Sequence, residues 1–440
     1  MQRSLYHSCN IWHLFPLVRL ARGAVLLPMA ALGCSSDQVA LGGRELELEA
    51  ASVTACDGVE TYDQSDIDAL AGCTEILGKL WLHDFPGMDL TPLAALRSVR
   101  DTLYVGMTDG EHPVESLRGL EALEHVGGLE ISRLQVSDLS SLHNLRSVRV
   151  LDPDQGFGYT GMISLQSCEG LTSLRGLERL EDWSFLFIQD AQQLQSLDGL
   201  VPPPTGGTIR VNSAPQLRDV SALGAARRMT GIELDATGVE NFDGVALENL
   251  GSLRLENNPN LVQLDGLDGI SSINELVVAE NDALQRLPEL PGLEVLGALH
   301  VTGNALLQAI PAYPASLLGS YVVGGLSDSP SPNKPEGPAV GFEFFVVGNN
   351  PALLRIAAPP GFSSGDFVAV YDNPSLIELD LGGMVDVDSI AIRNNAALVD
   401  VDVHSLEIVK RPEVVGNPLL PLAGFDGVAA AVREMSESTP

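Results

Sequence analysis

Apolar residues fall into a repeating phrase from Leu117 onward: an apolar residue, a polar one, often Gly-Leu, then an apolar-x-apolar strand and a turn. The opening apolar positions are Leu117, Leu139, Leu174, Leu197, Val220, Phe242, Leu264, Leu287, Ile310, Ile356, Leu379 and Val401. Most are 22 or 23 residues apart; the two longer steps, 35 and 46, are each one repeat plus an insertion, near 149–160 and 316–340. Weaker copies precede at Ile67 and Leu90. A fixed period of this length signals a stacked-repeat architecture. Pro202-Pro203-Pro204, Pro288, Pro291, Pro311, Pro314, Pro359 and Pro360 interrupt the connecting segments and argue against a helix on the back of each coil. The pattern predicts a mainly β fold: a right-handed parallel β-solenoid of about 13 coils, with few helices.

A second column fixes the register. Asn258, Asn281, Asn304, Asn350, Asn373, Asn395 and Asn417 recur at the same period, each three residues before a Leu. An amide at that place can bond backbone groups in a tight turn. Cys168 stands in the same column, before Leu171. It is read as a buried member of the ladder; a reactive thiol is the alternative.

The middle residue of each apolar-x-apolar strand points away from the core. By coil these are Trp81, Tyr104, Glu130, Ser164, Phe187, Arg210, Glu233, Arg254, Val277, His300, Val346, Ala369, Ala391 and Glu413. Arg210, Glu233 and Arg254 alternate in sign and are expected to pair across strands. Trp81, Tyr104 and Phe187 are expected to face water. Large aromatics there are candidates for stacking on a sugar or anchoring a protein partner, unless the insertion or the tether covers them.

The phrase NNPNLVQLDGL (257–267) resembles the L domains of growth-factor receptors and their bacterial relatives, with two residues between Asn and the next Leu. The resemblance covers about 57–425, so 56–425 is taken as the repeat body. It implies the solenoid fold; it does not carry hormone recognition, because no Cys-rich region separates two such domains. Cys56 and Cys73 flank the first coil, either paired, as an exported chain permits, or as two buried thiols. The resemblance implies the disulfide, as an N-terminal cap. Gly424–Met435 has the composition of a short helix, so 426–440 is read as a C-terminal cap and tail.

The N-terminus changes the picture of location. Residues 1–34 carry Arg3, Arg19 and Arg22 and no acidic residue, and Ala24–Leu32 is apolar, the layout of a secretory signal. Leu32-Gly33-Cys34 resembles the end of a bacterial lipobox, with Ala31 where that motif prefers Leu. This implies a signal peptide over 1–33, diacylation of Cys34 and a flexible tether over 34–55. Ser35 and Ser36 resemble outer-membrane sorting. No later apolar run is long enough for a membrane-spanning helix, so membrane contact is expected only through the lipid.

Charge and chemistry narrow the rest. Lys plus Arg is 25 against 58 Asp plus Glu, a net charge of −33, which repels phosphate backbones and disfavours nucleic acid. No metal or cofactor is expected. The glycine match at 156–161 lies in a turn-rich insertion rather than between strand and helix. Asp152-Pro153-Asp154 lacks the closing Glu of a calcium loop. Asp386/Asp388 and Asp400/Asp402 could be paired carboxylates, or a solvated acidic face. The reading is a non-enzymatic envelope or surface lipoprotein that recognises protein or glycan through a solenoid face. The alternatives are a β-helix polysaccharide-active enzyme and a structural spacer without ligand.

Overall fold

One coil explains the others. In the stretch from Leu171 to Ala191, Leu171, Leu174, Leu177, Leu180, Trp183, Leu186, Ile188 and Ala191 are all at most 1% exposed. A spacing of three, ending in an i, i+2 pair, is the signature of a coil that turns around its own core and finishes in a strand. A helix would need 3.6. The computed structural model describes residues 53–107, 112–149, 161–313, 344–357, 367–384, 386–406 and 408–421.

These residues form a mainly β, parallel-stranded solenoid of about 13 turns with almost no helix. The strands of successive coils pair in parallel within an 18-stranded sheet. Short strands Ala309–Ile310, Arg355–Ala357, Glu378–Asp380 and Asp400–Asp402 form a second, four-stranded sheet in the C-terminal half. The one α-helix among the described residues is Gln64–Asp68, capped by the Asp63 carboxylate on the N–H groups of Ser65 and Asp66. No helix among the described residues is long and apolar enough to cross a membrane.

The opening apolar positions are buried throughout, from Leu117 to Leu379, and Val401 is half-buried. The glycine of the Gly-Leu phrase has a physical cause. Gly119, Gly176 and Gly266 have φ of +113°, +110° and +102°, and a Cβ on any of them would lie 1.9 Å from a carbonyl oxygen of the preceding coil. Only glycine allows that backbone and that approach.

The Asn column is a continuous hydrogen-bonded ladder. Asn258, Asn281, Asn304, Asn350, Asn373 and Asn395 are at most 1% exposed. Asn281 Nδ2 donates to the carbonyls of Leu255 (2.8 Å) and Ala279 (3.0 Å). Its Oδ1 accepts the N–H of Asn258 at 3.0 Å. The same contacts recur at Asn304, Asn350 and Asn373; Asn395 keeps the accepted N–H and the bond to the Val370 carbonyl, and Asn417, half-buried, closes the described run. Toward the N-terminus the ladder changes chemistry: Thr237 Oγ1 donates to Asn258 Oδ1 at 2.5 Å, and Ala214, Ala191 and Cys168 follow, all buried. Each residue just before the ladder adopts a left-handed conformation, among them Ser167, Asp190, Ser213, Ala236, Asn257 and Glu280, with φ between 52° and 58°. The carbonyls exposed by that turn are the ones the amides satisfy.

Cys168 is fully buried, its thiol directed at the carbonyls of Gln166 (3.5 Å) and Ile131 (3.7 Å). Burial pushes it up to about 11. Cys56 and Cys73 are joined in a disulfide with Cα atoms 6.0 Å apart. Cys34, the 1–33 segment, nearly all of the tether, both insertions and the 426–440 cap lie outside the described residues.

Candidate recognition face

The outward column is a set of Cα partners, coil to coil. Trp81 pairs with Tyr104, Tyr104 with Glu130, Glu130 with Ser164, Ser164 with Phe187 and Phe187 with Arg210. The pairing continues through Glu233, Arg254, Val277, His300, Val346, Ala369, Ala391 and Glu413. Glu60, one coil before Trp81, heads the column.

Facing outward is not the same as facing water, and here the expectation needs correction. Ser164 is 0% exposed, and Val277, Ala369 and Ala391 are also buried. Trp81, Tyr104 and Phe187 are half-buried rather than open. Parallel strands lie only about 4.8 Å apart, so Ser164, between Glu130 and Phe187, and Val277, between Arg254 and His300, are covered by longer neighbours.

The two N-terminal aromatics spend much of their surface on each other. The Trp81 and Tyr104 rings stack with centroids 3.7 Å apart and planes 12° from parallel. His83, also half-buried, lies 6.1 Å from Trp81 and stacks on Tyr62 at 4.5 Å. Tyr62 is 62% exposed, and its hydroxyl donates to Glu60 Oε2 at 2.5 Å, which raises its pKa. Tyr62, His83, Trp81 and Tyr104 therefore make one aromatic patch on adjacent coils. Tyr62 and His83 were not legible as members, because they lie beside the strands, after the last apolar residue.

Phe187 is not part of this patch. It lies three coils beyond Tyr104, with Glu130 and Ser164 between, a separation of ~14 Å. Its neighbourhood is mixed: Arg210 sits 5.8 Å from the centroid of Phe185 and pairs with Glu233 at 2.6 Å. Arg254 turns instead to Glu275 (2.8 Å) and Glu256 (3.5 Å), so the alternating charges pair only in part along the column itself. Desolvation raises Glu130 and Glu256 and lowers His300.

Of the proposed carboxylate pairs, the Asp386 and Asp388 side chains lie outside the described residues. Asp400 and Asp402 are exposed on the second sheet. The N–H and ring of His404 hold Asp402 below the usual carboxylate range, the ring Nδ1 lying 2.7 Å from its Oδ1. Among the described residues no group of His, Cys, Asp and Glu has the arrangement of a metal site.

No family model matches the sequence, and no curated protein matches it. The chain is similar to the solved structure of an LRR protein of Leptospira interrogans. The two are 11% identical, over 86% of this chain and 98% of that one, with a TM-score of 0.30. No conclusion about function rests on a likeness of that size.

Proposed function

We propose that the chain is a non-enzymatic cell-envelope lipoprotein that recognises a protein or a glycan through the N-terminal coils of its large sheet. The observation that carries this reading is the aromatic patch of Tyr62, His83, Trp81 and Tyr104 on the outer face of a strongly acidic molecule. Aromatic side chains supply rigid contact area at small entropic cost, and a folded chain does not need them on its outer face for its core. Because Trp81 and Tyr104 cover each other's inner faces, the patch offers ring edges and its outermost faces. That geometry suits an extended protein segment, or a sugar lying on Tyr62, better than successive sugars each stacked on its own ring.

The leader-like first segment, Cys34 and the Cys56–Cys73 bridge support an exported chain tethered to a membrane by lipid, with the outer membrane as the proposed site. The net charge of −33 disfavours nucleic acid as a partner.

The test is a binding screen of the full chain against a glycan array and against intact cell surfaces. Specific binding removed by Trp81→Ala with Tyr104→Ala supports the reading. Turnover of a polysaccharide would replace it with an enzyme, and absence of any ligand with a spacer. Mass spectrometry of the mature N-terminus in the native host tests the anchor: a free amine at a residue after Cys34 contradicts it.

A further inference from the structure

A second surface stands out in the C-terminal half, away from the aromatic column. The residue that follows the buried Leu of each N-x-x-L turn forms its own solvent-facing column. Backbone bonds link Thr172, Gln195 and Arg218, and then Glu240, Val262, Gln285, Gln308, Leu354, Ile377 and Val399. The early coils place Thr, Gln, Arg or Glu there, so the coil itself has no need of an apolar side chain at this place. Three successive coils nevertheless carry Leu354, Ile377 and Val399, which are 43%, 46% and 43% exposed. Leu306, 50% exposed, lies two residues before Gln308 in the adjoining coil, and the exposed Pro351 and Pro374 lie three residues before Leu354 and Ile377, where early coils have Glu169 and Gln192. Single exposed aliphatics are ordinary; a contiguous run on consecutive coils of a strongly acidic protein is not.

The border of this stripe is basic at its first coil, where Arg355 follows Leu354, and acidic at the next two. Glu378 and Asp400 directly follow Ile377 and Val399, and Asp380 and Asp402 lie two residues further along the second sheet. Arg355 answers Glu378 at 3.2 Å and His404 answers Asp402, while Asp400 is exposed with no ion pair among the described residues. A second copy of this chain would bring its own carboxylates against these.

We propose that the Leu354–Ile377–Val399 stripe is a docking surface for a protein segment that carries large aliphatic side chains flanked by Lys or Arg. The aliphatics cover the stripe, and the cations meet Asp400 and its neighbours on the second sheet. This charge complementarity sets the sign of the partner and speeds encounter.

The experiment selects a random peptide display library on the full chain. The result expected is enrichment of peptides that combine Lys or Arg with Leu, Ile or Val. Their binding should weaken with salt and fall about tenfold or more in Leu354→Ser/Ile377→Ser/Val399→Ser. Ile377→Lys alone keeps an aliphatic stem and guards against misfolding of the triple variant; it should repel the same peptides at an unchanged melting midpoint. Three results would overturn the proposal: enriched peptides without cations, equal binding to wild type and Ile377→Lys, or a sedimenting dimer of the wild type that the stripe variants convert to monomer.

Discussion

The indole of Trp81 lies over the ring of Tyr104 with 3.7 Å between centroids, closer than the spacing of the strands that carry them. The side chains lean together across one rung of the parallel sheet. Each ring thereby hides one face and shows an edge, and this contact turns two outward-facing residues into a single feature.

The ladder is expected to be costly to interrupt. Asn281→Ala removes two donated bonds to carbonyls, one buried and one part-buried, and the buried acceptor for Asn258 N–H. A loss of about 1–3 kcal/mol or more is expected, against a change within about 0.5 kcal/mol for the exposed Gln193→Ala. Denaturant midpoints of the two variants check it; equal midpoints would mean the amides are not structural.

Gly176→Ala should be among the most damaging small substitutions. The new methyl would meet Leu139 O at 1.9 Å on a backbone with φ of +110°. Left-handed strain and overpacking together are expected to cost about 3 kcal/mol or more. Gly292→Ala, with nothing within 4 Å of the added atom, should stay within about 0.5 kcal/mol. Thermal melts of both decide it.

Cys168 gives a pH dependence with a definite sign. Its ordinary value is 9.0 and burial raises it to about 11. Between those values the unfolded thiol has lost its proton and the folded one has kept it, so stability falls as pH rises. The loss is about 2–3 kcal/mol across that window and vanishes below pH 9. Urea melts from pH 8 to 11 should show it in the wild type and a shallower slope in Cys168→Ala. Equal slopes would contradict the burial of the thiol. Labelling by iodoacetamide in native buffer should be slow in proportion.

What the sequence made legible follows from side-chain chemistry repeated in register. The column from Trp81 to Glu413 could be read because apolar-x-apolar strands announce their middle residue, and the Asn ladder because one residue type recurs. The left-handed turn before each ladder position stayed hidden. It is filled by Ser167, Asp190, Ala236 and Glu280 alike, and a backbone requirement shared by such different side chains leaves no trace in composition. The same limit applies at Thr237, Ala214 and Ala191, which continue the ladder without an amide. At the candidate site the positions of Trp81 and Tyr104 were legible, while their mutual stacking and the addition of Tyr62 and His83 were not. Ring orientation depends on contacts between coils, and the apolar pattern encodes only burial.

If the aromatic patch is a recognition surface, removing its rings must cost binding far more than stability. The most direct measurement is binding by full-chain wild type, Trp81→Ala/Tyr104→Ala and Phe187→Ala to the ligand found in the glycan and cell-surface screen, with a denaturant melt of each protein. The double variant should lose binding by at least about a hundredfold and stability by only about 2 kcal/mol, since the pair is half-buried and stacked. Phe187→Ala, three coils away, should bind as the wild type does. Undiminished binding by the folded double variant, or its outright unfolding, would contradict the claim.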